Sequence, residues 1–256
     1  MNEITSRDVI KEYDEVTLLA CSLNLLCRDT NLQIKAVKKL NNLLLKIKAI
    51  KHYIIDDPQF TDEDVNTWFY FQCITNANIK SLEIWINIKS NKDNKFLLAW
   101  DSLVEAQSYM RYAFKFIPKN AYGTEELYNH IISIEKSGIF PKLQFVSSGL
   151  VTNGGQCSIC NMIFEECVHI EDQLYRGKIC KRVDIQIAEV NHVAFVENPE
   201  DRRCFITKVE VNDGKMKDVF THTEDKIRSK EKKQSVEIEG TSASMRCLTF
   251  NSLDIF

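Results

Sequence analysis

The stretch Cys157-Ser-Ile-Cys160, then Cys167-Val-His169, then Cys180 gathers five side chains that can bind a metal. A C-x2-C pair lets two thiolates hold one ion from a tight turn, where backbone N–H groups also reach the sulfurs. A tetrahedron needs a second pair. Cys167 and His169 stand two apart, so on an extended strand they share a face and present sulfur and nitrogen together. Cys180 follows a glycine turn at Gly177 and is the alternative fourth ligand. The predicted site is Cys157, Cys160, Cys167 and His169, with Cys180 in reserve. A C-x-H pair beside C-x2-C favours zinc over an iron–sulfur cluster. A redox dithiol would open a helix in a βαβ frame, whereas this pair sits among glycines. Four protein ligands leave no open position, so the expected role is structural.

The elements that must position this site divide into two kinds. Residues 1–140 read as a helical bundle. Val16, Leu18, Leu19, Cys21, Leu23, Leu25 and Leu26 make a first helix apolar nearly all round, as a buried helix is. Leu32, Ile34, Val37, Leu40, Leu44 and Ile47 follow near a 3.6 period, ending before Asp56-Asp57-Pro58. Thr61 with Asp62, Glu63 and Asp64 supplies a cap for a third helix through Trp68, Phe71, Ile79 and Trp85. Phe96 to Phe114 is a fourth, with Pro118 as its stop, and Thr124 to Gly138 a fifth. The tryptophans at 68, 85 and 100 are core anchors. After Pro141 short β-branched runs take over: 183–187, 192–196 and 205–209. Residues 142–212 therefore read as a β-rich zinc module, and 213–256 as a charged linker and C-terminal tail.

Composition bounds the rest. The chain has 256 residues, 44% of them hydrophobic, so it can bury a real core. Its net charge of −3 argues against nucleic acid or an anionic membrane as partner of the whole chain. No apolar run is long enough to span a bilayer and the first residues lack signal-peptide character, so the expected location is cytoplasmic. In that compartment the nine cysteines are not expected to form disulfides. Cys21, Cys27 and Cys73 read as small core hydrophobes. Arg176, Lys178, Lys181 and Arg182 follow one another without an acid between them. They are the candidates for phosphate contacts, against the alternative of a solvated face balanced by nearby glutamates. Lys226 to Lys233 is a second basic run that reads as linker. His52, His192 and His222 stand alone. No phosphate-binding loop, dinucleotide fingerprint or hydrolase elbow is present, and no small-molecule substrate is evident.

The run Phe145-Val-Ser-Ser-Gly149, the cysteine cluster, and Glu189-Val-Asn-His-Val-Ala-Phe-Val-Glu-Asn-Pro199 together resemble the C-terminal part of tailed-phage prohead proteases. The likeness covers residues 143–210. It implies a β-barrel-like fragment with Ser147 at the nucleophile position, and a phage, prophage or phage-defence setting. The chain departs from that pattern: Asn191 stands where the signature has serine, Glu200 where it has alanine. The region where the family keeps its catalytic histidine is helical here, and His130 sits in a capped helix.

The sequence thus predicts an α+β protein, an N-terminal helical bundle followed by a small β-rich zinc-binding domain. The expected function is a non-enzymatic zinc-containing interaction or adaptor protein, with the bundle binding a protein partner or itself. The alternatives are a nucleic-acid-binding zinc module and a divergent prohead-type protease using Ser147.

Overall fold

The computed structural model describes residues 5–26, 29–118, 123–211, 215–226, 235–238 and 241–246. It is an α+β protein whose five helices precede a β-rich region bearing the Cys/His cluster. The chain forms two compact units, and the boundary between them is not the one the composition suggests.

The first unit contains helices α1 (Ser6–Leu26), α2 (Thr30–Ile54), α3 (Asp62–Ile88), α4 (Lys95–Ala113) and α5 (Thr124–Lys136). α3 is the central helix and packs on the other four. Its start is fixed as the sequence predicts: the Thr61 side chain accepts from the Asp64 N–H while the Asp64 carboxylate accepts from the Thr61 N–H. Asp29 caps α2 in the same manner, accepting from the Leu32 N–H. Leu40, Leu43 and Ile47 of α2, Phe69, Leu82 and Ile84 of α3, and Leu103 and Met110 of α4 are fully buried. The three tryptophans are buried, as expected. No described helix is long and apolar enough to cross a membrane.

One expectation about burial is reversed. The first helix, apolar nearly all round, is open along one side: Leu18 is 70% and Leu26 86% exposed. α3 carries Gln72, Thr75, Asn76, Asn78 and Ser81 and is the helix buried on every side. Position decides this rather than composition. α1 packs mainly on α2 and α3, while three of α3's buried polar side chains find partners within the bundle. The amides of Asn76 and Asn78 donate to the carbonyls of Gln72 and Ile74, and Ser81 donates to Asn24. α4 stops at Ala113, before Pro118, its end marked by the Phe114 N–H donating to the Met110 carbonyl.

Strand β1 (Phe145–Asn153) leads into Gly154–Asp184, a segment that belongs to the helical unit. It carries β2 (Gln156–Cys157), a 3-10 turn (Phe164–Glu166), β3 (Leu174–Tyr175), β4 (Lys178–Ile179) and β5 (Arg182–Val183). β2 pairs with β5 and β3 with β4. The expected module 142–212 is therefore divided between the units, because the metal-ligand loop buries its base on helices.

The second unit takes Ser137–Asn153 and the chain from Ile185 onward. β6 (Gln186–Val196) returns antiparallel to β1, from Asn153↔Gln186 to Phe145↔Val196. It joins the end of the run expected at 183–187 to the run at 192–196, while Val183 belongs to β5. Two register shifts, at Gly149/Leu150 and Val151/Thr152, are the β-bulges that bend this long hairpin. β7 (Phe205–Val211), β8 (Lys215–Asp218), β9 (Glu224–Lys226), β10 (Ser235–Ile238) and β11 (Thr241–Arg246) complete a sheet in the order β10-β11-β7-β1-β6, with β8 also paired to β7 and β9 to β8. The region expected to be charged linker and tail thus contributes four strands; most of the basic run Lys226 to Lys233 lies outside the described residues. Val146, Cys204 and Ile206 form the core of this unit, and Phe220 packs edge-on against Phe205 and Phe140.

Candidate metal centre

The C-x2-C knuckle is built by backbone bonds that close on Cys157. Its N–H donates to the Met162 carbonyl, and its own carbonyl accepts from the Asn161 N–H. Asn161 takes a left-handed conformation, φ 59°, which turns the chain back over the thiols. The Ile159 N–H donates to the Cys157 sulfur at 3.4 Å, the sulfur-directed bond the spacing predicts. Ser158 ties this turn to the strand opposite: its N–H donates to the Lys181 carbonyl and its hydroxyl accepts from the Lys181 N–H.

Cys157, Cys160, Cys167 and His169 converge so that their ligand atoms all lie within 4.8 Å of one another. The group could hold a metal ion. Cys167 and His169 do not reach it from a strand, as expected, but from the irregular chain after the 3-10 turn. The turn replaces the strand by redirecting two side chains inward. The His169 Nδ1 is buried with no hydrogen-bond partner. Its ring stands edge-on to Tyr175 at 4.7 Å, which fixes its plane. An imidazole clustered with three thiols, one of its nitrogens buried with nothing to bond, is a donor set a metal would satisfy.

Cys180 is also at the site, its sulfur 3.7 Å from that of Cys157. Thiolates sharing a tetrahedral zinc at about 2.3 Å each stand about 3.8 Å apart, so Cys180 is placed to share an ion with Cys157. It is His169 and not Cys180, however, that falls in the group of four within 4.8 Å of one another. Their surroundings differ. Cys180 is fully buried, and burial followed by the neighbouring Cys157 charge pushes its thiol up to about 12. Burial also opposes ionisation of Cys157. The N–H groups of Cys160 and Ile159 and the thiols of Cys180 and Cys167 outweigh it and bring Cys157 down to about 6. Burial likewise raises Cys167.

The hairpin between His169 and Cys180 anchors the centre on the helices. Arg176 and Gly177 form its two-residue tip, both with positive φ (42° and 72°), as a tight hairpin turn requires. The Arg176 guanidinium donates to the carbonyls of Ile55, Asp57 and Phe60 and pairs with Asp62 at 2.8 Å. It thus caps the end of α2 and the turn into α3, where carbonyls lack helical partners. The Gly177 N–H donates to Asn66, and its carbonyl accepts from the buried Lys51 ammonium. At the hairpin's base Lys181 joins Asp172 and lies 5.6 Å over the Tyr112 ring, and Asp172 also meets Lys115.

Three of the four cations singled out for phosphate contacts are therefore engaged within this unit: Arg176, Lys181, and Arg182 with Glu165 and the Phe164 ring. Lys178 is half-buried on β4. Ser147 is exposed on β1 opposite Ala194, on the face where the His192 ring covers Gly149. No hydrogen bond joins Ser147 to an imidazole among the described residues. Cys73 is buried as expected, Cys21 half-buried, and Cys27 lies outside the described residues. The sequence reading missed the role of Arg176; the only signal was an arginine before a glycine at a hairpin tip. No family model, curated protein or solved structure matches the chain, so the functional argument rests on this geometry.

Proposed function

We propose that Cys157, Cys160, Cys167 and His169 hold a structural zinc ion, and that the knuckle they close is a rigid recognition surface of a non-enzymatic interaction protein. The observation that carries this reading is the convergence of three thiols and the His169 imidazole within 4.8 Å, the imidazole's buried Nδ1 having no hydrogen-bond partner. Four protein donors fill a zinc tetrahedron and leave no place for substrate. Such a site holds its loop in one shape and supplies folding free energy, about 10 kcal/mol in small zinc domains. The loop so held exposes Val168 (90%) and Ile170 beside the ligands, with Met162 and Ile163 next to them. Apolar side chains held at the surface of a rigid knuckle support a protein partner. What supports a phage, prophage or phage-defence setting is the resemblance of residues 143–210 alone.

Metal analysis of the purified chain tests the site. One zinc per chain is expected, lost in Cys160→Ser, and chelation is expected to destabilise the protein. Cobalt substitution then reads the donor set. A spectrum of three sulfur donors and one nitrogen, altered in His169→Ala and persisting in Cys180→Ser, supports the assignment. A chain without stoichiometric metal, or Cys160→Ser as stable as the parent, would overturn it. Val168→Asp with Ile170→Asp should keep the metal and lose partners captured from the native host.

A further inference from the structure

The open side of α1 faces a groove of about 950 Å³ within the helical unit. Ile10, Tyr13, Leu18, Cys21 and Leu25 line one wall at helical spacing, and α3 forms the floor with Phe71 and Ile74. α5 forms the far wall with Leu127. From Ile10 to Leu25 the wall runs about 22 Å, or roughly four helical turns. A trough of this length, walled and floored by helices, matches about four turns of a further helix.

Its charge states what could fill it. Asp14, Glu63 and Glu126 border the groove, and no Lys or Arg is among its described lining residues. None of these three acids forms an ion pair among the described residues. Asn24 adds a further unmet group: it is 6% exposed, its carbonyl oxygen accepts from Ser81, and its amide nitrogen has no partner. A helix with an acidic or neutral flank would leave the carboxylates uncompensated.

We propose that this groove binds an amphipathic helix of a partner protein, with an apolar stripe at i, i+3, i+4, i+7 flanked by Lys or Arg. The stripe replaces water over Leu18 and Leu25, and the basic flank meets Asp14, Glu63 and Glu126. The inference names a partner chemistry for the interaction role above but uses residues remote in sequence from the metal ligands. Zinc content and groove binding therefore succeed or fail separately.

The test uses the full chain, its zinc content measured, at physiological salt. The probe is a labelled Leu/Lys peptide of about 15 residues designed as an amphipathic helix, the length that spans ~22 Å, with a Leu/Glu counterpart. The Leu/Lys peptide should bind and the Leu/Glu peptide should not. Leu18→Asp, at an exposed position that leaves the fold intact, should weaken binding about tenfold or more. Asp14→Lys with Glu126→Lys should also weaken it, while Glu197→Lys in the other unit should leave it unchanged. Hydrogen exchange should slow in residues 10–25 and 63–78. Equal affinity for the two peptides, equal loss in Glu197→Lys, or protection elsewhere would overturn the proposal. So would a concentration-dependent dimer abolished by Leu18→Asp, which would make a second copy the occupant.

Discussion

Replacing Arg176 tests whether the hairpin tip holds the α2–α3 turn in place. In Arg176→Ala the carbonyls of Ile55, Asp57 and Phe60 lose a charged donor together. Hydrogen bonds to charged groups contribute about 1.5–3 kcal/mol each in general. The arginine side chain is 30% exposed, so water can replace part of what is lost. We take about 1 kcal/mol for each carbonyl. The Asp62 pair adds little, because that carboxylate is 73% exposed. The expected loss is about 3–4 kcal/mol, a large share of the roughly 5–15 kcal/mol that holds a typical domain. Arg176→Lys keeps the charge but cannot span acceptors arranged for a planar fork, and should lose about 2 kcal/mol. Urea denaturation followed by helical circular dichroism measures both. A loss below about 1 kcal/mol for Arg176→Ala, or a lysine variant as stable as the parent, would refute the capping role.

Burial, only partly offset by Cys73, brings the Lys51 ammonium down from its ordinary 10.5 to about 8. Between pH 8 and 10.5 the unfolded chain then binds more protons at this position, so its contribution to stability rises with pH across that window. Lys51→Met should remove that rise and stabilise the protein at pH 7, by up to about 3 kcal/mol from the size of the shift; parallel denaturation profiles for parent and variant would contradict it. Gly177→Ala places a methyl 2.8 Å from the Val65 side chain at φ 72° and should cost about 2 kcal/mol, read as a lowered thermal midpoint. Gly149→Ala would put a methyl 2.4 Å from the His192 ring, so the imidazole must swing off β1; an unchanged His192 resonance by NMR would show the ring is not held there.

The helices were legible because their signals are local. Thr61 and Asp64 announce the start of α3 within four residues, and Gly138 marks the turn after α5 by its positive φ. The cluster that could hold an ion was legible for the same reason: C-x2-C and C-x-H are short-range patterns. What composition could not supply was the neighbourhood of each element. An apolar α1 reads as buried, yet its exposure depends on whether a helix lies beside it, which no residue in α1 encodes. Asn76, Asn78 and Ser81 look like surface residues until backbone carbonyls and Asn24 satisfy them. The same limit hid part of the fate of the basic run. Lys181 and Arg182 meet Asp172 and Glu165, acids close enough in the sequence to be read as balancing the run, but the pairing of Arg176 with Asp62 needs a residue from far along the chain. Strands β8 (KMKD) and β9 (EDK) were masked by their charge, and β9, paired with β8 alone, is an edge position where a sheet tolerates lysine and glutamate.

The hairpin that caps α2 and the loop that carries the proposed zinc ligands share a base. The Asp172 N–H donates to the Cys180 carbonyl, and the Cys180 N–H donates to the Gln173 carbonyl. His169 enters this base from one side, while Arg176 grips the α2–α3 turn from its tip. An ion that fixes the base must therefore favour the gripping position of the tip, and the gripped tip must favour the ion. Such coupling is reciprocal as a matter of thermodynamics. Arg176→Ala should then weaken zinc binding about 5- to 150-fold, the range of a coupling of roughly 1–3 kcal/mol. The same substitution should destabilise the zinc-loaded chain more than the chelated one, by the same free energy. Competition with a chromophoric chelator gives the first quantity, and paired denaturation curves give the second. If zinc affinity is unchanged in Arg176→Ala, the hairpin is only a tether, and the metal holds its own loop without reaching the helices.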